Sequence, residues 1–421
     1  MQNKPWFKLD NAAKIFPGQN TGTWSNFFRF SILLKEQVDP LLLERALKAV
    51  LPRFPCFDVC IKRGMFWYYF EKNPNGAPDV KPDISNPCHR IKFKENKGYL
   101  FRVYYYEKKI SVDFYHALTD GRGGSFFVCT LAAEYLRLKG YDIPSGYSVL
   151  DINEKATPEE LEDSFVKNAG SKAKFSRKNS WVYHAKGTKM PRHTVNMTAG
   201  ILDLAELKKL AKSKGATITE FIEALLLYTM YVKQKNEEKK QKTVSVQVPV
   251  DLRNTFNSKT LRNYSLTYNV RIDPNMGEYT FDEVLQQVRA YLRYINTEKQ
   301  LRAMTTANLK LERSVMKYAP LFIKDLGIGV SFFITGEQTT SVLGSNLGLV
   351  KIPPEMEEYV DRMYFMAGPG ILNGARCGAV GYKDTFTLTF ANVYRESDIE
   401  RFFFTELVKM GLHVKIESNR R

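Results

Sequence analysis

One stretch constrains this chain more than any other: Ser111-Val-Asp-Phe-Tyr-His-Ala-Leu-Thr-Asp-Gly-Arg-Gly-Gly124. Its residues alternate up to His116, with Val112, Phe114 and His116 on one face, which predicts a strand. Asp120-Gly121 ends that strand. From Ser125 the residues Phe126, Leu131, Ala132, Tyr135 and Leu136 fall at helical spacing, and Gly140 predicts the C-cap. His116 is therefore expected where a strand gives way to a turn, the usual place for a site in an α/β fold. With five His in the chain, a His followed at this spacing by Asp-Gly arises by chance in roughly 1–2% of such sequences. The bland alternative is a partly buried His whose Asp caps the next turn.

Hairpins join the strands around it. A strand at 26–34 leads to a helix with Asp39 as N-cap, Pro40 at its first position and Leu42, Leu43, Ala46 and Val50 on one stripe. Segments 57–62 and 65–70 flank Arg63-Gly64, and 99–106 and 110–116 flank Glu107-Lys-Lys109. A helix is expected at 158–167 and a Lys-, Ser- and Gly-rich linker at 168–192. The second half is built in the same manner. It has a strand at 194–202, a helix capped by Asp203, a helix from Thr217 or Thr219, strands at 243–250 and 264–272, and a helix capped by Thr280. Strands around Tyr364 and at 385–390 flank a Gly-rich loop, and a last helix covers 397–410. The basic-apolar stretch 309–326 reads as a helix packed in its domain with Lys exposed; the alternative is contact with a membrane or lipid acceptor. Hairpin-linked strands argue against a doubly wound parallel sheet. The expected class is α/β (α+β), each half a mixed sheet with helices on a face, divided as 1–190 and 191–421.

At 421 residues two domains are the natural prior. The formal charge of +17 suits an anionic partner: nucleic acid, a membrane surface, an acidic carrier protein or a phosphorylated cofactor. No nucleic-acid recognition motif is present. Cys56, Cys60, Cys88, Cys129 and Cys377 are scattered and odd in number, a poor disulfide framework that fits a reducing compartment. Cys56 and Cys60 lack the second pair that a zinc site needs, so no metal is expected. The N-terminus has no signal-peptide core, and the longest apolar run, 221–232, is broken by Glu223 and too short for a bilayer. A cytoplasmic protein without an integral membrane segment is expected.

Four motifs in order then carry a family resemblance. They are Trp6-Phe-Lys-Leu-Asp-Asn-Ala-Ala-Lys-Ile-Phe16, His116-Ala-Leu-Thr-Asp120-Gly121, Pro249-Val-Asp-Leu-Arg253 with Leu261-Arg-Asn263, and Ser345-Asn-Leu-Gly348. Over nearly its whole length the chain resembles the chloramphenicol-acetyltransferase-like superfamily, nearest to its bacterial alcohol-acetyltransferase-like members. It departs from condensation domains, which carry a second His where Tyr115 stands, and from the plant branch, whose Asp-Phe-Gly-Trp-Gly motif is absent. The resemblance implies two chloramphenicol-acetyltransferase-like subdomains with an active-site tunnel between them. It implies acyl, most simply acetyl, transfer from a CoA thioester to an alcohol or amine, with His116 as general base. Asp120 would pair with Arg253 to hold the loop, and Gly121 would make a turn without a Cβ in the tunnel wall. Asn263, Ser345 and Asn346 are its nominees for oxyanion or tunnel positions.

The chemistry asks for a base, donors for the tetrahedral oxyanion and aligned substrates. Imidazole titrates near neutrality and suits the first task. Acyl-CoA enters as co-substrate beside a small-molecule acceptor, no cofactor is tightly bound, and the protein is expected to be a monomer. Two alternatives stand: a donor carried on an acidic acyl-carrier protein, and a non-catalytic binding protein on the same fold. Arg122-Gly-Gly124 lacks the Walker spacing and reads as loop geometry. His89, His184, His193 and His413 have no motif around them.

Overall fold

Capping side chains begin the long helices where the sequence places them. Asp39 accepts from the amides of Leu41 and Leu42 ahead of helix Pro40–Val50. Thr217 with Glu220, and Thr280 with Glu283, form capping boxes for helices Ile218–Glu237 and Phe281–Ile295. In this computed structural model the described residues are 6–19, 26–83, 86–90, 92–172, 180–191, 194–313 and 319–420. His193, and residues 173–179 and 192 of the expected linker, lie outside them.

The strands in chain order are β1 (Trp6–Lys8), β2 (Phe27–Leu34), β3 (Val59–Arg63), β4 (Tyr68–Lys72), β5 (Val80–Pro82), β6 (Phe101–Tyr106), β7 (Lys109–Tyr115), β8 (Asn196–Asp203), β9 (Val244–Asp251), β10 (Ser265–Ile272), β11 (Val342–Leu349), β12 (Val360–Ala367), β13 (Ala375–Tyr382), β14 (Thr385–Asn392) and β15 (Lys415–Ser418). They form a five-stranded sheet in the order β12-β2-β7-β6-β5 and a seven-stranded sheet in the order β10-β9-β11-β13-β14-β8-β15. A small sheet, β1-β4-β3, stands apart. Both large sheets are mixed: β5 runs parallel to β6, and β11 runs parallel to both β9 and β13. Each sheet packs helices against its own apolar cluster, one around Phe54, Phe57, Phe101, Phe114 and Phe127, the other around Phe221, Leu225, Val246, Leu388 and Phe403. The mixed α/β architecture with two sheet-and-helix cores is as expected.

The two sheets are stitched by one strand. After β11 the chain leaves the seven-stranded sheet, contributes Val350, Ile352 and Met356 to the first core, and adds β12 antiparallel to the edge of β2. It then returns as β13. Thr387 on β14 donates to the Met363 carbonyl across this seam at 2.7 Å.

Several local expectations change. The stretch between β12 and β14 expected as a Gly-rich loop contains the central strand β13. Its glycines serve close approach: a Cβ on Gly378 would collide with the Phe365 carbonyl of the crossing strand. The helix expected from Ser125 begins four residues earlier, as Gly121–Leu138, so Arg122-Gly-Gly124 is its first turn rather than a loop. The segment expected as one helix at 158–167 is two short turns, Pro158–Leu161 and Ser164–Asn168, because Asp163 is extended and caps the second. The stretch 309–326 spans parts of two helices, Glu298–Arg313 and Leu321–Thr335, with 314–318 outside the described residues. In the second of these helices the expected orientation is reversed: Lys324 is buried and Phe322 and Leu326 face out.

Candidate active site

β7 is an inner strand, paired with β2 on one side and β6 on the other, and His116 follows its last residue. The His116 amide donates to the Asn26 carbonyl at 2.8 Å, so its backbone belongs to the sheet's end. Its ring stacks on Phe16 with centroids 4.7 Å apart and meets the edge of Phe28 at 5.2 Å. Part of its surface stays open.

Nδ1 of His116 lies 3.1 Å from Oδ1 of Asn263, which is buried just before β10. The rest of that amide sets the roles. Its Nδ2 faces Oδ2 of Asp10 at 3.4 Å and the Ala117 carbonyl at 3.5 Å, both acceptors when Asp10 is ionised. Nδ2 must therefore point to them, Oδ1 must point to the ring, and Nδ1 must carry the proton. The lone pair of the neutral imidazole is left on Nε2. Asp10 is itself fully buried; it accepts from the Ala13 amide at 2.7 Å and lies 3.7 Å from the Arg262 guanidinium. Burial raises its pKa to about 6 against the pull of Arg262.

Burial lowers the His116 pKa below the ordinary imidazole value, and the Arg376 charge pushes the same way. The Asp120 charge, the ring's own backbone carbonyl and Asn263 oppose this without reversing it. A neutral ring at pH 7 follows, which is the form a base requires.

Asp120 does not turn to the imidazole. Its Oδ2 accepts from Arg253 Nη1 at 3.0 Å and the Tyr264 amide at 2.8 Å; its Oδ1 accepts from Arg253 Nη2 at 2.9 Å and the Gly123 amide at 3.0 Å. Arg253 spends its remaining donors on the carbonyls of Thr260 and Arg262 and on Asp251. Every donor of the guanidinium is used. Burial alone would raise Asp120, but the Arg253 charge and these bonds hold its pKa below the usual carboxylate value. The ion pair fastens the end of β7 in the first half to the stretch after β9 in the second.

Gly121 and Gly123 let other chains press on this joint. A Cβ on Gly121 would sit 2.5 Å from Leu347 of β11 and 3.2 Å from Phe365 of β12, and one on Gly123 would strike Thr119 and the Leu261 carbonyl. β11 thus reaches the motif through Leu347. Of its other nominees, Asn346 is committed elsewhere: Nδ2 donates to Thr219 at 3.0 Å and Oδ1 accepts from the Gly348 amide at 2.8 Å. Ser345, half-buried on β11, pairs across to Gly378 of β13.

Sequence reasoning passed over four contributors. Phe16 and Asp10 lie in the N-terminal motif, and Asp10 is the one charged residue there that the fold buries completely. Phe28 and Arg376 carry no local signal. Arg376 on β13 is held by Glu337 at 2.8 Å and Asn373 at 3.0 Å. His89 is structural, with Nδ1 2.8 Å from the Asn86 carbonyl. A separate cleft of about 350 Å³ is lined by His184, Lys186, Lys189, Lys242 and Leu372 among others; the Leu372 amide donates to Glu337, which links the cleft to Arg376. Among the described residues no cluster of three or more His, Cys, Asp or Glu side chains could hold a metal ion, and no helix is long and apolar enough to cross a membrane.

The fold matches solved structures along almost all of its length. Fusarium sporotrichioides TRI101, solved with coenzyme A and T-2, superposes with a TM-score of 0.65 at 11% identity, covering 97% of this chain and 99% of that one. Polyketide synthase associated protein 5 from Mycobacterium tuberculosis gives 0.57 at 14% identity over 95% and 96%. The first condensation domain of the CDA synthetase gives 0.57 at 15% identity over 95% of each chain. No curated protein matches in sequence. These likenesses establish the two-subdomain chloramphenicol-acetyltransferase-like fold. A family model described as alcohol acetyltransferase matches residues 159–373, just over half of the sequence and the part that supplies Arg253, Asn263 and β11, so the chain belongs to the alcohol acetyltransferase family.

Proposed function

We propose that this protein moves an acyl group from the thioester of coenzyme A to an alcohol, with His116 as the general base. One observation carries the reading: Asn263 holds the proton of a neutral imidazole on Nδ1, which leaves a basic Nε2 on a partly open ring at the seam of two sheets. Nε2 takes the proton of the acceptor hydroxyl as its oxygen attacks the thioester carbonyl. The tetrahedral intermediate collapses with loss of the thiolate, and Nε2–H returns the proton to sulfur. The step balances with no redox partner.

Asp120 and Arg253 shape the site and take no part in proton transfer, since both carboxylate oxygens are spent on the guanidinium and two amides. Asn263, occupied at both ends of its amide, is assigned to orienting the ring rather than to the oxyanion. With Asn346 committed, Ser345 is the remaining nominee for that task. TRI101 was solved with coenzyme A, and the cleft around His184, where Lys186 is paired with Glu238, offers Lys189 and Lys242 to the phosphates of such a donor.

Replacing His116 with Ala removes general-base assistance worth about 10²–10⁴ in rate and should leave Tm nearly unchanged. Transfer at the wild-type rate would refute the assignment. A carrier-protein donor is the second reading, favoured by the +17 charge; a kcat/KM higher with acyl-carrier protein than with acetyl-CoA would establish it.

A further inference from the structure

The helix Leu321–Thr335 is turned inside out. Its charged residues are Lys324 and Asp325, and both face the protein: Lys324 Nζ donates to the Phe66 carbonyl at 2.8 Å and sits 3.8 Å from the Trp67 ring centroid, while Asp325 accepts from the Tyr68 hydroxyl at 2.8 Å. The opposite face carries Phe322, Ile323, Leu326, Val330, Phe333 and Ile334, exposed from 40% at Phe333 to 72% at Leu326. At 100° per residue these six side chains fall within about a third of the helix circumference and run along about 18 Å of axis. Beside them the β3–β4 turn exposes Met65 and Phe66; the Leu321 amide donates to the Met65 carbonyl, so turn and helix form one surface. Single exposed apolar residues need no explanation, whereas a contiguous apolar stripe of this kind marks an interaction surface.

We infer that this face docks on an anionic lipid bilayer. Charge selects the occupant. The helix presents no outward charge, and the adjoining β3–β4 turn carries exposed Arg63, opposite the Tyr68 that bonds Asp325, at its border, on a chain of net charge +17. An apolar stripe beside an exposed cation suits acyl chains below anionic headgroups. A second copy is disfavoured because it would set another chain of net charge +17 against this one.

The surface also adjoins the reaction site. Gly18 of helix Phe16–Gln19 packs on Leu321–Thr335, where a Cβ would lie 3.2 Å from Asp325 Cα, and Phe16 of the same turn stacks on His116. One layer of protein thus separates the docked face from the imidazole, which points to a lipophilic alcohol dissolved in the bilayer as acceptor. The identity of the acceptor rests on the proposed reaction; the docking does not.

Co-sedimentation with vesicles of phosphatidylcholine alone and with 30% phosphatidylglycerol tests it. Wild type should bind the anionic vesicles, more weakly as salt rises, and the Leu326→Glu/Val330→Glu variant should lose at least about tenfold in affinity while acetylating a short soluble alcohol as before. Arg63→Glu, a surface change that cannot disturb the core, should weaken binding to the phosphatidylglycerol vesicles alone. His116→Ala should bind like wild type, so loss of catalysis and loss of docking are read separately. Wild type left in solution with anionic vesicles overturns the inference. So does undiminished binding by the Leu326→Glu/Val330→Glu variant, or a solution dimer that this variant dissociates. For the acceptor, adding anionic vesicles should raise kcat/KM for a long-chain alcohol over a short one in wild type and not in the Leu326→Glu/Val330→Glu variant; equal ratios overturn the lipophilic acceptor alone.

Discussion

Asp120 and Glu223 are two buried carboxyls that the fold treats in opposite ways. Asp120, 4% exposed at the seam of the sheets, receives four hydrogen bonds, two of them from Arg253. Glu223, 1% exposed in the second core, has an Oε2 with no hydrogen-bond partner and lies so close to β11 that a Cβ on Gly344 would collide with it. Burial pushes both acids up. At Asp120 the guanidinium reverses the shift; at Glu223 nothing opposes it, and its pKa rises to about 8. Partners, not depth, decide which buried acid is charged. The charged one sits where two parts of the chain must be pinned beside His116, and the neutral one where packing alone is needed.

The sharpest way to break this contrast is to remove the partner. Arg253→Ala leaves Asp120 buried without its counter-charge, held only by the Gly123 and Tyr264 amides, and should cost about 3–5 kcal/mol in urea unfolding. Acyl transfer should fall with it as the stretch before Asn263 loosens. A loss under about 1 kcal/mol would show that the pair is not the pin. Arg253→Lys should recover part of the stability but not the two-pronged geometry.

A next, smaller effect is the pH dependence of stability. Asp120, with its pKa lowered in the fold, stabilises the protein above the unfolded carboxylate value, and this is lost as pH falls through the folded one. Glu223 has the opposite sign. Between about 4.5 and about 8 the unfolded chain gives up a proton that the folded chain keeps, so stability declines as pH rises through that window and is level above it. Glu223→Gln, nearly isosteric and neutral, should remove a slope on the order of a few kcal/mol over this range. Parallel stability curves for wild type and variant would show that Glu223 is ionised in the fold.

Asp10 lies between these extremes, with one amide, a guanidinium at 3.7 Å and a long contact to Asn263. Its reach to His116 passes only through Asn263. Asn263→Ala should lower kcat about tenfold, the worth of one hydrogen bond, with KM little changed. The acid limb of the kcat/KM profile should also move to lower pH, because a bond favouring the protonated ring is lost. Unchanged kcat and an unmoved limb would mean that the ring needs no such support.

Much of the site is legible in the sequence because its signals are local or chemically unambiguous. His116 and Asp120 stand four residues apart at the end of one strand, and Arg253 follows its own strand in a recognisable Asp-x-Arg. Asp10 belongs to a recognisable motif, yet the sequence gives it no task, since 253 positions separate it from Asn263 and only the fold brings them together. The glycines around β13 look like a loop because glycine marks close packing as readily as a turn. Helix Leu321–Thr335 reads from sequence with its faces exchanged. Periodicity shows that two faces differ, but which one meets protein depends on what stands opposite, here a Trp67 ring and a Tyr68 hydroxyl that take the charged pair.

From its amino acids alone this chain commits to hairpin-linked mixed sheets, capped helices and an imidazole at a strand end, because alternation, capping and strand-end motifs act over a few residues. Tertiary structure decided that β12 leaves the second half to complete the first sheet, that Asp120 turns to Arg253 and away from His116, and which nitrogen of the imidazole keeps its proton. Those outcomes depend on partners more than a hundred residues away, whose burial and hydrogen bonds exist only once the two sheets have met.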